Sequence, residues 1–523
     1  MNTIRNLIIF YGLISLYPSY SQIGDISDQF VLGGTHSDVV LDAFPLDNGG
    51  MIILANSYSL PSGNKTSPHY GVQDLWLIEL DQNMNIVWQY TYGGSAADVE
   101  GQLLILADGG YLLTCSSNSS ISGNKTVGTF GDYDIWAIKV SSTGSILWQK
   151  NFGGNLQETS VCTVELPDHS LIFGATSKSD ISGNKSEETH GPSDFWIFRT
   201  DSNGELIWDR TIGGNSTEVL RDFCLSDTTI TLCGFSNSDS SYDKTQDSYG
   251  SSDFWLLQIG FSDTILWDRT YGGSDGEDPS SIKYNGHGFY IVGNSWSGIS
   301  GTKTEINRGL NDNWILKLDN NGYELWQSCL GGNLEDAPYG ITFTNKNQIL
   351  FWGVSFSDDS YDKSEPCRGS SDIWILSIDT NGTFLWDKTI GSDGTENIRG
   401  LFINSDYDIM ICGSSDSDIG FDKIVPQIGT VYADIWLIRA KSFLSHPEEN
   451  SLILNLFPNP ASEYFMINAE IYMVQIFSSQ GAKLIEYSNY DGSAINTIEL
   501  NPGMYFVAFE LGGISHFHKL IIQ

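Results

Sequence analysis

A tryptophan standing two residues after an aspartate recurs seven times along this chain, and that recurrence limits what the chain can fold into. The tryptophans are Trp76, Trp136, Trp196, Trp255, Trp314, Trp374 and Trp436; the aspartates are Asp74, Asp134, Asp194, Asp253, Asp312, Asp372 and Asp434. Successive tryptophans stand 60, 60, 59, 59, 60 and 62 residues apart. A second column follows each of the first six: Trp88, Trp148, Trp208, Trp267, Trp326 and Trp386. Gly-Gly pairs begin at Gly33, Gly93, Gly153, Gly213, Gly272 and Gly331, and the seventh has decayed to Gly391-Ser392. Self-similarity at a fixed period marks a repeat architecture, in which no unit buries its apolar face alone.

Each unit reads as four strands. In the third these are Val161 to Leu166, Leu171 to Thr176, Asp194 to Thr200 and Glu205 to Ile212. The D-S-N-G run between the last two is a hairpin signal. Apolar residues on both faces of the strands imply packing on both sides, as when sheets stack radially. Four-stranded units repeated in this way make a β-propeller. A lone strand, Gln29 to Leu32, precedes the first Gly-Gly, and a lone third strand, Asp434 to Ala440, ends the series. The first would complete the last blade, which predicts seven blades and a ring without free edges. An open solenoid is the alternative and would need polar end caps. Asp28 stands where the other blades carry the second tryptophan.

Composition fits an all-β protein. The net charge is −38, with 55 glycines and 15 tryptophans in 523 residues. Such a surface repels phosphate backbones, which argues against nucleic acid as a partner. The seven cysteines show no metal-ligand spacing, and Cys233 and Cys412 stand before a glycine where another repeat has Val292. Arg5, an apolar run from Leu7 to Leu16, and Ser19 and Ser21 before Gln22 form a signal-peptide pattern over residues 1–21. The run is too short to span a bilayer. The expected layout is a propeller over 22–441, a linker over 442–452 and a small β-sandwich over 453–523, with the mature chain a monomer.

The crossover into each inner strand and the long loop between strands two and three fall on one face. Four residues after each Gly-Gly stands an acid, such as Glu218 after Gly213-Gly214, and every long loop carries a lysine, such as Lys185. A ring of binding sites and a loop-fixing device copied seven times are both consistent with this. The copied device is favoured, so Asp194, Trp196, Trp208, Gly213, Gly214, Glu218 and Lys185 read as structural. Several loops are richer in carboxylates: Asp239 with Asp243; Asp358, Asp359 and Asp362; Asp416, Asp418 and Asp422. Closely spaced Asp and Ser oxygens suit Ca²⁺, although Asp and Ser also simply make turns. Asp239, Asp243, Asp416, Asp418 and Asp422 are the candidate Ca²⁺ ligands; no other cofactor is indicated. Trp296 sits in a long loop where others have small residues. Exposed, it would stack on a sugar or grip a partner; buried, it would be filler. With Asp358, Asp359 and Asp362 it forms the candidate ligand site. No catalytic motif is present.

The D-x-N-G-x-x-x-W run from Asp319 to Trp326 resembles the tryptophan-docking motif of quinoprotein dehydrogenases, which is structural there and implies no quinone here. A second resemblance concerns the C-terminus. Pro458-Asn459-Pro460 after Phe457, then Val474 to Phe477 with Gly481, then Gly503 and Tyr505, then Lys519 near the end, resemble the type A C-terminal sorting domain of Bacteroidetes type IX secretion. The resemblance implies export through the outer-membrane translocon, removal of the domain by its sortase, and surface attachment or release. The expected function is therefore a secreted or surface-displayed binding scaffold for a glycan or a surface protein. The competing expectation is an extracellular hydrolase or lyase with its site at the channel. An enzyme would gather acids, His or Tyr in one or two blades near the channel mouth.

Overall fold

The computed structural model describes residues 23–226, 228–344, 348–403, 408–429 and 432–442, then 456–457, 461–467, 471–478, 483–490, 493–498, 500–511 and 514–523. The expected signal peptide, 1–21, lies outside the described residues, as do residues 443–452 of the expected linker. The chain divides into two units, Met1–Ser442 and Phe443–Gln523.

Among the described residues the first unit consists of seven four-stranded antiparallel sheets. Blade 3 runs Glu158–Glu165, Leu171–Ser177, Asp194–Thr200 and Leu206–Ile212. Its first strand starts ahead of Val161 because Glu158 already pairs with Ser177. First strands of successive blades touch one another, and that of blade 7, Glu396–Ile403, returns to that of blade 1, Asp38–Pro45. They are the innermost strands of a closed ring, a seven-bladed β-propeller.

Apolar cores lie between blades. Leu54, Leu75 and Leu77 of blade 1 pack with Leu113, Trp136 and Ile138 of blade 2. Leu32, Ile435 and Leu437 of blade 7 pack with Val40, Ile53 and Trp76 of blade 1. This is why the strands are apolar on both faces. All seven tryptophans of the first column are fully buried.

Blade 7 is completed by Ile23–Leu32, which pairs antiparallel with Asp434–Ser442. The N-terminal strand also supplies a group found in the other blades. Gln89 accepts from the Trp76 indole at 3.1 Å and from the Thr66 amide at 2.9 Å, pinning its long loop. In blade 7 Gln29 accepts from Trp436 at 3.1 Å and from the Ile424 amide at 3.0 Å.

Two of the second tryptophans hydrogen-bond to the next blade. Trp148 and Trp326 donate to the carbonyls of Ser202 and Thr380, in the next hairpin turns, at 3.3 and 3.1 Å. Their rings lie where side chains on Gly204 and Gly382 would be. At the closing junction the tryptophan is absent, and Asp28 stands opposite Arg439. Arg439 instead donates to the equivalent carbonyl, Gln82, at 3.0 Å. Met84, at φ 62°, there takes the place of the turn glycine.

The second unit has a three-stranded sheet and a four-stranded sheet. Phe465, Ile467 and Ile495 of one pack with Val474, Ile476, Val507 and Leu520 of the other, which makes a β-sandwich. Gly503 and Tyr505 lie in the strand Gly503–Leu511, and Lys519 in Ile514–Ile522. Pro458, Asn459, Pro460 and Gly481 lie outside the described residues.

Candidate functional site

The repeated acids and lysines of the loop face are buried supports. Glu218 accepts from the Gly214 amide at 2.8 Å and from the Ser236 and Ser238 hydroxyls, each at 2.6 Å. Asp38 and Glu396 repeat this on Gly34 with Ser59, and on Ser392 with Ser415 and Ser417. The recurring S-x-S therefore exists to saturate an acid. Lys185 donates to Thr211 Oγ1 at 2.6 Å and to the Glu187 carbonyl. Asp194 accepts from the His190 amide at 2.6 Å, closing the long loop. A Cβ on Gly213 would stand 1.9 Å from Asp194 Oδ1, so the first glycine is required there. Burial holds the Glu218 carboxyl up at about 7, with a further push from Asp194 across the blade junction. Burial likewise raises Asp253, Asp312 and Asp434 to about 6.

Three of the candidate Ca²⁺ and ligand carboxylates cap the Gly-Gly turns. In blades 1, 2 and 3 an asparagine caps the Gly-Gly: Asn64 accepts from the Gly33 amide at 2.8 Å and donates to the Val31 carbonyl at 2.9 Å. Asp243, Asp362 and Asp422 accept the same glycine amides, Gly213, Gly331 and Gly391, at 3.1 to 3.2 Å. A carboxylate cannot donate to the carbonyl, and in two blades an arginine from the preceding blade does so instead. Arg308 lies 2.5 Å from Asp362 and donates to the Cys329 carbonyl at 2.6 Å. Arg368 lies 3.2 Å from Asp422 and donates to the Thr389 carbonyl at 3.1 Å. Asp243 has Arg210 at 3.4 Å and His190 at 3.6 Å.

The neighbouring positions switch together. Gly63, Gly123, Gly183 and Gly301 precede the asparagine or threonine at φ 57–59°, with Ile428, Tyr70, Phe130 and Tyr249 of the preceding blades packed against them. Where the cap is aspartate, Tyr242, Tyr361 and Phe421 hold φ 43–52°. The preceding blade then offers His190, Arg308 or Arg368, and the His190 ring stacks on Tyr242 at 4.4 Å.

The remaining candidates are dispersed. Asp239 accepts from the Ser248 amide at 3.3 Å, Asp416 from Thr395 at 2.6 Å and Asp418 from Gln427 at 3.4 Å. Asp358 and Asp359 are exposed. Among the described residues no group of three or more His, Cys, Asp or Glu is placed to hold a metal ion. Trp296 is 46% exposed, so it is not filler. The expectation that other blades carry small residues there needs correction: Tyr58 and Phe356 occupy the same position, just after the second strand, and both are exposed. The cysteines are free.

Each long loop also carries at least one large exposed side chain near its tip, aliphatic in five blades and the junction residues Tyr242 and Tyr361 in the other two. Leu60, Ile121, Ile181, Tyr242, Ile299, Tyr361 and Ile419 are 58–72% exposed. Asp180, Asp239, Asp358, Asp359, Asp416 and Asp418 stand exposed among them.

The central channel breaks the repeat in a way the motifs did not reveal. Every first strand has a β-bulge in the same place, visible as a register break such as Leu220/Asp222 or Ile398/Gly400. A bulge leaves a residue unpaired and re-aims its side chain. The position eight residues after the first glycine is Leu41, Gly101, Val161, Arg221, Ser280, Tyr339 and Arg399, different in nearly every blade. This variability was the available signal. A cavity of about 790 Å³ is lined there by Arg221, Lys283, Tyr339, Trp352, Arg399 and Glu100, among others. Arg221 is held by Asp278 through bonds of 2.9 and 2.7 Å. Lys283 lies 3.7 Å from Asp222. Burial raises the Asp42 carboxyl, also in the wall, to about 7.

The second unit can be compared with known families. Residues 455–523 match the secretion system C-terminal sorting domain. The sorting domain indicates export of this chain out of the cell. No curated protein matches the chain. Similar solved structures include a protein of unknown function from Dyadobacter fermentans DSM 18053, at 9% identity and TM-score 0.38, covering 80% of this chain and 98% of that one. The WD40 domain of Neurospora crassa Pan2 matches at 8% and 0.41, covering 80% and 97%. A PL25 ulvan lyase, a polysaccharide lyase, matches at 10% and 0.44, covering 79% and 97%. Among the described residues no helix is long and apolar enough to cross a membrane.

Proposed function

We propose that the protein is an exported binding module that docks a protein partner on the long-loop face of its propeller. One observation carries the reading: every blade presents a large exposed side chain on the same loop, aliphatic in five blades and tyrosine in two. Copied structural residues such as Glu218 and Lys185 are buried and bonded, whereas these side chains are mostly exposed. Isolated exposed apolar residues need no explanation, but a ring of seven on one face marks an interaction surface. The interleaved aspartates select a partner with a basic rim around an apolar contact. On this reading residues 1–21 are removed as a signal peptide, and the sorting domain is cleaved by its sortase at the surface.

The test uses the purified full chain and cells that lack it. Fluorescently labelled protein should bind the cell surface, and binding should weaken as salt is raised from 50 to 500 mM. A variant with Ile121, Ile181, Ile299 and Ile419 replaced by Ser should bind about tenfold more weakly, with its melting temperature unchanged. Equal binding by that variant would overturn the proposal, as would loss of binding on removing surface glycans while surface proteins remain intact.

A further inference from the structure

We infer that the central channel is a second binding site, one that takes an acidic sugar. Three observations on the channel wall converge on that chemistry, and none depends on the loop-face reading.

The first is an unengaged guanidinium. Arg399 sits at the bulge of blade 7, is exposed and lines the cavity. Its only recorded contact among the described residues is the Tyr339 ring of blade 6, 4.8 Å from the guanidinium carbon. Arg221 and Lys283, the other two cations of the cavity wall, face carboxylates of their own. Stacking on an aromatic face orients the planar fork of an arginine while leaving its N–H groups free for a carboxylate.

The second is an aromatic recess beside that fork. Gly340 and Gly400 remove two side chains from the wall. The Trp352 and Phe402 rings fill the vacated space, 2.3 and 2.6 Å from where a Cβ would be. Tyr339, Trp352 and Phe402 thus all contribute to the cavity wall. Flat faces of this kind pack on the C–H face of a sugar ring, and the volume is that of a small-ligand site.

The third is a pair of unengaged acceptors on blade 2. Glu100 is exposed in the same cavity, at φ 55°, with no partner among the described residues. The Oε1 of Gln102, two residues on, is buried without a hydrogen-bond partner. Acceptors left open in this way ask for donors from a ligand, and hydroxyls supply them. A bare inorganic anion would use Arg399 and be opposed by Glu100. A neutral sugar would leave Arg399 unpaired. A ring that carries both hydroxyls and one carboxylate uses every open group.

Calorimetric titration of the intact protein with glucuronate, glucose, acetate and sulfate tests the assignment. Glucuronate should bind, with glucose, acetate and sulfate each at least about tenfold weaker. R399Q should reduce glucuronate affinity about tenfold or more while leaving the melting temperature and glucose binding unchanged, and E100Q should weaken glucuronate and glucose together. Absence of heat with glucuronate up to 50 mM, undiminished affinity in R399Q, or acetate binding as tightly as glucuronate would overturn it. The loop-tip Ser variant should bind glucuronate like the native chain, so failure of one site is read separately from failure of the other.

Discussion

At the scale of single residues, two arrangements recur where one blade joins the next. In one, an asparagine caps the Gly-Gly and a bulky side chain from the preceding blade covers a glycine. In the other, an aspartate caps it and an arginine from the preceding blade takes over the lost N–H donor. The partners are distant in sequence, 308 with 361 and 362, so a substitution in one blade has consequences in the next. R308A should destabilise the propeller by about 1–3 kcal/mol, because it leaves Asp362 half-buried and the Cys329 carbonyl without its donor. The triple change R308Y, Y361G, D362N installs the other arrangement and should recover most of that loss in urea denaturation. No recovery would show that the two arrangements are not equivalent. These aspartates also show why part of the site was illegible. As a sequence, S-Y-D-K looks like a cluster of calcium-seeking oxygens. The arginine that satisfies the aspartate lies more than fifty residues earlier, and only the radial stacking of blades brings it there.

At the scale of elements, strand order and ring closure were readable because each blade copies the same polar bonds. The N-terminal strand could be assigned from its position before the first Gly-Gly. Its length, beginning at Ile23, could not, since little in Ile23 to Asp28 repeats. Bulges in the inner strands were equally hidden: a bulge changes pairing without leaving a motif, and its residue varies from blade to blade. Closure has a testable weak point. Gln29 is the only side chain of the N-terminal strand recorded as holding both Trp436 and the long loop of blade 7. Q29A should cost about 2–3 kcal/mol, through three lost bonds, to Trp436, Ile424 and the Asp422 carbonyl, and a buried indole N–H left unpaired. Equilibrium urea unfolding would read it as a lower midpoint at an unchanged slope. A change below about 0.5 kcal/mol would mean that backbone pairing alone closes the ring.

At the scale of the whole molecule, carboxyls raised by burial govern how stability follows pH. Glu218, at about 7, and Asp253, Asp312 and Asp434, at about 6, hold protons in the folded state that the unfolded chain releases near pH 4. The folded state binds more protons between these limits, so stability falls as pH rises through them. The melting temperature should fall as pH is raised from 5 to 7.5. Repulsion across a surface of net charge −38 acts in the same direction but is screened by salt. The buried contribution should therefore persist in 0.5 M NaCl, and a melting temperature independent of pH in that buffer would contradict it.

The antiparallel pairing of Ile23 with Ser442 sets the order in which the molecule can be finished. Blade 7 needs a strand that precedes blade 1 and another made more than four hundred residues later, as in the bond from Ser27 to Arg439. Blades 1 to 6 have all four strands local in sequence and can assemble as they appear. The last cannot, and contacts between such remote positions form slowly. Until then the outer edge of blade 7 and the facing sides of blades 7 and 1 stay open. The latch that completes the ring is consequently a checkpoint in time, passed only once the whole propeller has been made.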